Sequence, residues 1–212
     1  QLLPPDLRND LQELEGSYEG FLKEMEETLD KEILPLDAPD GKPEPLHQTL
    51  NRRTGISDFK ERALKLVEHW QSILQSQKGG GVFLAHGDLD AANLYIYDNG
   101  EVEFLDFEWA AVSDNRAIAT IIDLGTLRSG AWNNREFREA LDAEMIKTYR
   151  ERNEEEVGRA IVSLSILRSH IMTAGFHENY DHSKQRLKRA TRRRESNEVD
   201  IIKAWEVAGL EF

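Results

Sequence analysis

The sequence predicts a mainly helical α+β fold in which helices surround one small β-hairpin. Apolar residues recur at helical spacing along most of the chain, and no proline follows Pro45. One strand–turn–strand pattern interrupts this periodicity, with apolar runs at 94–97 and 102–105 on either side of an Asn99-Gly100 turn. The length of 212 residues suits a single lobe with a sizeable core.

The N-terminal part is predicted to be a helix and a connector. Residues 2–34 carry Leu, Tyr, Phe and Met at helical spacing, and four prolines with Gly41 follow, so residues 1–45 form a helix and a proline-rich connector. A second helix is expected over 58–77, with Ser57 as its N-cap. Its buried stripe comprises Phe59, Ala63, Leu66, Val67, Trp70, Ile73 and Leu74.

Further helices are expected on both sides of residues 82–109. Gly79-Gly80-Gly81 is interpreted as a helix-to-strand turn, leading into a short apolar strand at 82–85. The later helices are predicted over 115–127, 133–152, 154–180 and 199–210. In the second of these, i+4 spacing predicts that Phe137, Leu141, Met145 and Tyr149 face the core.

Composition excludes several classes of protein. There is no cysteine, so neither disulfides nor thiolate metal sites exist, and a cytoplasmic location is expected. The net charge of −13 argues against general nucleic-acid binding, and no apolar run is long enough to span a membrane. The basic residues within 184–194 are interpreted as a solvated helix face, and the alternatives are contact with a partner's acidic surface, with RNA, or with the acidic N-terminal helix of this same chain.

The residues that carry chemistry flank the hairpin. His86-Gly87-Asp88 follows the short strand, Asn93 precedes the hairpin, and Asp106 follows it, so Asp88, Asn93 and Asp106 are expected at one end of it. Mg²⁺ takes oxygen ligands and usually binds one or two protein groups plus substrate phosphates. Asn93 and Asp106 fit such a site, which leaves Asp88 to accept or orient the proton of an attacking hydroxyl.

The run His-Gly-Asp-Leu-Asp-Ala-Ala-Asn, followed by Leu-Asp-Phe-Glu, resembles the aminoglycoside phosphotransferase and choline kinase family, the small-molecule branch of the protein-kinase-like fold. The resemblance covers residues 82–123 well and the flanking helices loosely. It implies that Asp88 is the catalytic residue, that Asn93 and Asp106 bind Mg²⁺, and that His86 supports the catalytic loop. It also implies transfer of the γ-phosphate of ATP, or of GTP, to a hydroxyl of a small molecule.

The chain resembles only one of the two lobes of this family, the C-terminal, substrate-binding lobe. Neither a spaced glycine loop nor a phosphate-pairing Lys of an N-terminal nucleotide lobe is recognisable in the sequence. We therefore expect that lobe to be absent from this chain, and the isolated chain to have little kinase activity.

Asp123 lies among apolar residues, where an unpartnered carboxylate is costly, so we expect it to be hydrogen-bonded. The resemblance gives it a supporting place under the catalytic loop.

Other acidic residues near the motif bear on the acceptor. Asp90 departs from the residue that many family members carry, and Glu108 is interpreted as either a contributor to the metal's surroundings or a loop-fixing carboxylate. Asp90, Glu108 and Asp114 together favour a cationic acceptor, although an acidic solvated surface explains them too. Trp109 is expected to pack beneath the site.

Two alternatives remain open at this stage. Asp88-Leu89-Asp90 after an apolar run is similar to the motif of haloacid-dehalogenase-like phosphohydrolases, in which Asp88 would be the nucleophile and Asp90 the acid/base. Against it, Ala92 stands where that motif normally has Thr or Val. The second alternative is a non-catalytic, kinase-like binding module that contacts protein or RNA through the basic residues within 184–194.

Overall fold

The computed structural model describes residues 12–13, 16–35, 41–131, 133–179 and 201–211, with the side chains of 12–13 and 175–179 left aside. Within these residues the chain is mainly helical, with three small sheets. The strands are β1 (Gln12–Glu13), β2 (Glu32–Ile33), β3 (Glu44–Pro45), β4 (Lys78–Ala85), β5 (Leu94–Ile96), β6 (Val102–Phe104) and β7 (Ala111–Asn115). The helices are α1 (Tyr18–Asp30), α2 (Leu46–Thr54), α3 (Phe59–His69), α4 (Gln71–Ser76), α5 (Arg116–Gly130), α6 (Arg135–Glu151), α7 (Glu155–Asn179) and α8 (Ile202–Ala208).

Helix α7 is the central element of the core. Helices α5, α6 and α8 pack along it, and residues 160–167 of α7 are all buried. A helix that is apolar on every side is covered on every side, as this one is.

None of the described helices combines the length and the apolar character needed to cross a membrane.

The prediction of one helix over 2–34 is wrong for the part that the structure describes. Residues Gln12–Glu13 form β1, which pairs in parallel with β7, and α1 begins only at Tyr18. A Cβ at Gly16 would lie 1.9 Å from Asp114 Oδ1, so the backbone passes close to β7 there. The Ser17 hydroxyl then accepts a hydrogen bond from Gly20 N–H at 3.0 Å and starts α1 as its N-cap.

The predicted helix over 58–77 is two helices. Trp70 separates α3 from α4, and its indole donates to Ser163 Oγ on α7 at 3.3 Å. The N-cap of α3 is Asp58, so the assignment of Ser57 was wrong. The predicted buried stripe is correct except for Ile73, which is only partly buried.

Several other expectations need correction or confirmation. Gly79-Gly80-Gly81 lies inside β4, at a register shift against β7, and is not a turn between elements. Phe137 is 41% exposed, because α6 turns this position to solvent, whereas Tyr149 on the same helix is buried as predicted. The basic residues within 184–194 lie outside the described residues.

Two pairs of antiparallel strands determine where the site forms. In the sheet of order β1-β7-β4, Ala85 at the end of β4 pairs with Ala111 at the start of β7. In the separate hairpin, Leu94 at the start of β5 pairs with Phe104 at the end of β6, which confirms the predicted hairpin. Residues 86–93 and 105–110 therefore run between the same two strand pairs and lie side by side.

Candidate active site

The catalytic loop, defined as residues 86–93, is closed by its own polar groups. Asn93 donates from its side-chain amide to the carbonyl oxygen of Asp88 at 2.8 Å and to Asp88 Oδ2 at 3.2 Å. The backbone adds two further bonds, from Asp90 N–H to the Asp88 carbonyl and from Asn93 N–H to the Asp90 carbonyl, each 2.9 Å. The structure therefore brings Asp88 and Asn93, two of the predicted site residues, into direct contact.

The second segment, residues 105–110, is attached to this loop through Leu105. Leu105 N–H donates to the Asn93 carbonyl at 2.9 Å, and the Leu105 carbonyl accepts from His86 Nε2 at 2.8 Å. Because a carbonyl can only accept, His86 Nε2 carries the proton. Asp106 follows directly on this doubly anchored residue, so its backbone lies one residue from the bonds to Asn93 and His86.

His86 is buried, and its ring also packs against the aromatic segment. The His86 and Phe107 ring centroids are 4.7 Å apart, and His86 Nδ1 finds no hydrogen-bond partner among the described residues. Its contacts thus hold the two halves of the site together and do not reach towards solvent.

Asp106 has an unusual backbone. Its φ is +59°, in the left-handed region that residues other than glycine rarely occupy, although Asp and Asn tolerate it best. Strained backbone of this kind is concentrated at functional sites, where the surroundings hold it in place. The strain turns the chain sharply between the anchored Leu105 and the exposed Phe107.

Gly87 is required by both conformation and space. Its φ is +81°, and a Cβ there would lie 2.1 Å from the carbonyl oxygen of Trp109. The loop thus lies against the backbone of the segment 105–110 at a second point. Sequence reasoning did not single out Gly87; the signal available was a glycine between the His and Asp of the motif.

Asp123 on α5 supports the catalytic loop from below. Its two oxygens accept the backbone N–H groups of His86 and Gly87, each at 3.0 Å, so the predicted hydrogen bonding of Asp123 is confirmed. Burial raises the pKa of this carboxyl above its ordinary value, and the two N–H bonds and the charges of His86 and Arg168 oppose that rise. A helix side chain therefore determines the position of the backbone that carries Asp88.

The other acidic residues have local partners. Asp90 Oδ1 accepts from Ala92 N–H at 3.1 Å and caps the short 3₁₀ turn Ala91–Asn93. Glu108 accepts from Trp109 Nε1 at 2.9 Å. Trp109 is 62% exposed, so the expectation that it packs beneath the site is wrong. The capping bond gives Asp90 a structural role and lends no support to an acid/base role in a phosphohydrolase.

The donor set can be compared with the needs of a metal ion. Among the described residues there is no group of three or more His, Cys, Asp or Glu side chains that could hold one. Mg²⁺ bound together with nucleotide phosphates needs fewer protein ligands. The amide nitrogen of Asn93 is directed at Asp88, which leaves the Oδ1 of Asn93 available. This oxygen and the carboxylate of Asp106 are ligands of the kind that Mg²⁺ requires. The residues present therefore fit Mg²⁺ held jointly with phosphates.

An exposed apolar surface surrounds this site. Most of the exposed large apolar side chains of the described residues belong to β4, the hairpin and the segment 105–110: Leu84, Tyr95, Ile96, Tyr97, Val102, Phe104, Leu105, Phe107 and Trp109. Large apolar side chains that are exposed together in one region often mark a binding surface. The hairpin thus presents apolar groups beside polar groups suited to phosphate chemistry.

Comparisons with known proteins add no family to these observations. No protein-family model, curated protein or solved structure matches the chain.

Proposed function

We propose that this chain is the catalytic lobe of an ATP-dependent phosphotransferase that acts on a hydroxyl of a small molecule. The motif from His86 to Asp106 supports this proposal by its resemblance to the aminoglycoside phosphotransferase and choline kinase family. The observation that carries it is the contact of the Asn93 amide nitrogen with Asp88, together with the two backbone anchors on Leu105. These bonds support the proposal because they join the candidate base Asp88 to Asn93 and tie the residue before Asp106 to the same loop.

Each residue has a stated task in this proposal. Asp88 orients the acceptor hydroxyl and takes its proton as the phosphoryl group transfers. The Asn93 side chain positions Asp88 through its amide nitrogen and offers its oxygen, with Asp106, to Mg²⁺. The metal ion supplies charge neutralisation on the phosphates. His86 and Asp123 hold the backbone of the catalytic loop in position. Positioning of this kind is most of what phosphoryl transfer requires.

The exposed apolar surface has a place in the same proposal. A nucleotide-binding lobe and the base of the nucleotide need an apolar surface beside the phosphate site, and the hairpin offers one. We propose that this surface receives them. Burial of such a surface stabilises a complex by about 25 cal/mol for each Å² removed from water.

The test is the substitution Asp88→Asn in the full-length protein, assayed for transfer of labelled γ-phosphate to a panel of hydroxyl compounds. Loss of the base should lower kcat by about 10²–10⁴-fold with little effect on the unfolding curve. Asp98→Asn is the matched control, because Asp98 lies in the exposed hairpin turn. Full turnover by Asp88→Asn would refute the mechanism.

Metal binding is tested separately with Asp106→Asn. Asn tolerates a left-handed backbone about as well as Asp, so this variant removes the charge and keeps the turn. It should weaken binding of Mn²⁺, used as a paramagnetic substitute for Mg²⁺, in the presence of ATP. Unchanged Mn²⁺ binding would remove Asp106 from the metal site.

A non-catalytic binding module is the second candidate, and the exposed apolar hairpin is the observation that favours it. Titration of Mg²⁺ and ATP into the full-length protein distinguishes the two proposals. An enzyme binds the pair together, whereas a module that has lost catalysis and uses the hairpin for a protein partner does not.

A further inference from the structure

A cleft of about 610 Å³ opens on the side of the catalytic loop that faces α5 and α6. This volume lies within the range of about 300–1,000 Å³ that is usual for small-molecule sites. Its walls come from β4, α5 and α6, and Leu89 of the catalytic loop closes one side. Asp88 precedes Leu89 directly, and Asp123, which also lines the cleft, holds the backbone on the other side of Asp88 through Gly87 N–H.

The cleft is apolar along most of its wall. The apolar side chains come from all three elements and from the loop, and they include Phe83 of β4, Leu89 of the loop, Leu124 and Leu127 of α5, and Leu141 and Met145 of α6. Leu89, Leu127, Leu141 and Met145 are only partly buried, so they keep apolar area that a ligand would cover. Ligand pockets usually combine such a wall with a few polar groups that orient the ligand.

The polar groups of the cleft are engaged within the protein. Arg116 donates to the carboxylate of Glu154 at 2.9 and 3.0 Å, which neutralises its charge. Thr120 Oγ1 donates to the Arg116 carbonyl at 2.8 Å. Asp123 accepts the two backbone N–H groups beneath the catalytic loop. The polar side chains that line the cleft are thus already engaged, so a charged ligand would lose hydration there without an unengaged side chain of opposite charge to bind it.

The carboxylates that favoured a cationic acceptor in the sequence do not add a negative charge to the wall of the cleft. Neither Asp90 nor Glu108 lines the cleft, and both accept hydrogen bonds from their own neighbours.

From these observations we infer that the cleft binds the body of the acceptor, and that the acceptor is an uncharged alcohol with an aliphatic or aromatic body. This inference rests on the proposed phosphotransferase function, which supplies the reaction at the hydroxyl. The apolar body lies against Leu89, Leu141 and Met145, and the hydroxyl extends towards Asp88, which precedes Leu89 in the loop. Transfer then forms the bond from the acceptor oxygen to the γ-phosphorus, breaks the bond to the leaving ADP, and passes the hydroxyl proton to Asp88.

The chain offers a substitution that narrows the cleft without straining the backbone. Gly80 lines the cleft, its φ is outside the left-handed region, and a Cβ there meets only the Phe83 ring at 3.8 Å. Gly80→Leu should therefore fold and occupy part of the cleft. Met145→Gln places an amide in the apolar wall at a partly buried site. Glu144→Gln, on the exposed face of α6 beside Met145, is the matched control.

The experiment is calorimetric titration of the full-length protein with 2-naphthylmethanol and, separately, with choline. We expect saturable 1:1 binding of 2-naphthylmethanol, weakened at least about tenfold by Gly80→Leu and by Met145→Gln and changed less than about twofold by Glu144→Gln. Choline should show no binding at the same concentrations. Unfolding curves of the variants establish that each is folded.

Two results would overturn the inference: binding of choline with no binding of 2-naphthylmethanol, or 2-naphthylmethanol binding that neither cleft variant weakens. A transfer assay with ATP separates this failure from failure of the proposed function. Transfer to choline alone would leave the kinase proposal standing and refute the cleft assignment. Cleft-dependent binding of 2-naphthylmethanol without transfer to any alcohol would support the ligand class and refute the kinase proposal.

Discussion

At the scale of single residues, the glycines show how the site restricts its own sequence. Gly87 combines a left-handed backbone with the close approach of the Trp109 carbonyl. Gly100 in the hairpin turn has a φ of +84° but open space around it. Gly80 has neither restriction. The three positions therefore separate the effect of conformation from that of crowding.

We predict that alanine at these three positions destabilises the protein in a fixed order. Gly87→Ala should lower the free energy of unfolding by at least about 2 kcal/mol, because strain and a backbone clash act together. Gly100→Ala should cost about 1 kcal/mol from strain alone. Gly80→Ala should change stability by less than about 1 kcal/mol.

Urea unfolding at equal protein concentration measures these differences. Equal losses for Gly87→Ala and Gly100→Ala would show that the Trp109 carbonyl does not restrict the loop.

At the scale of elements, Asn115 joins three pieces of secondary structure. It ends β7, and its Oδ1 accepts from Ile118 N–H at 3.2 Å as the N-cap of α5. Its Nδ2 donates to the Leu74 carbonyl of α4 at 2.8 Å, and the residue is fully buried. Because α5 carries Asp123, this cap also determines where the support of the catalytic loop lies.

We predict that Asn115→Ala destabilises the protein by about 2 kcal/mol, about 1 from the lost cap and about 1 from the lost hydrogen bond to the Leu74 carbonyl, which keeps a bond from Gln77 N–H at 3.2 Å. The matched control is Asn134→Ala. Asn134 is an exposed N-cap that accepts from Phe137 N–H at 3.0 Å, so its loss should cost about 1 kcal/mol. Chemical denaturation of both variants gives the comparison, and equal losses would contradict the role of the Leu74 contact.

At the scale of the whole molecule, the raised pKa of Asp123 makes global stability depend on pH. The folded protein holds the Asp123 proton more tightly than the unfolded chain, whose carboxyl titrates near the ordinary value of 3.8. The stabilising contribution of the raised pKa is complete below that value. It is lost as the pH rises from 3.8 through the folded pKa.

We predict that Asp123→Asn removes this component. Across that window, the stability of the wild type should fall relative to that of the variant, with a slope no steeper than about 1.4 kcal/mol per pH unit. At every pH the variant should lack one of the two accepted N–H bonds, because its amide NH₂ faces a backbone donor. Urea unfolding as a function of pH tests both points, and parallel curves for the two proteins would contradict the first.

The sequence alone was informative where local patterns decide the structure. Asn99-Gly100 between two apolar runs predicted the hairpin, and Gly100 supplies the left-handed backbone of its turn, with a φ of +84°. Apolar periodicity located most helices and the buried stripe of α3 and α4. A carboxylate among apolar residues predicted hydrogen bonds to Asp123, since burying it without partners is too costly.

Tertiary packing decided the rest. The sequence could not show that Trp70 divides a helix, because its indole donates to Ser163 on a distant helix. Nor could it show that β4 and β7 pair at Ala85 and Ala111, which places residues 86–93 beside 105–110. Local chemistry thus determined which residues belong to the candidate site, whereas contacts between distant segments determined that they meet and that an apolar cleft opens beside them.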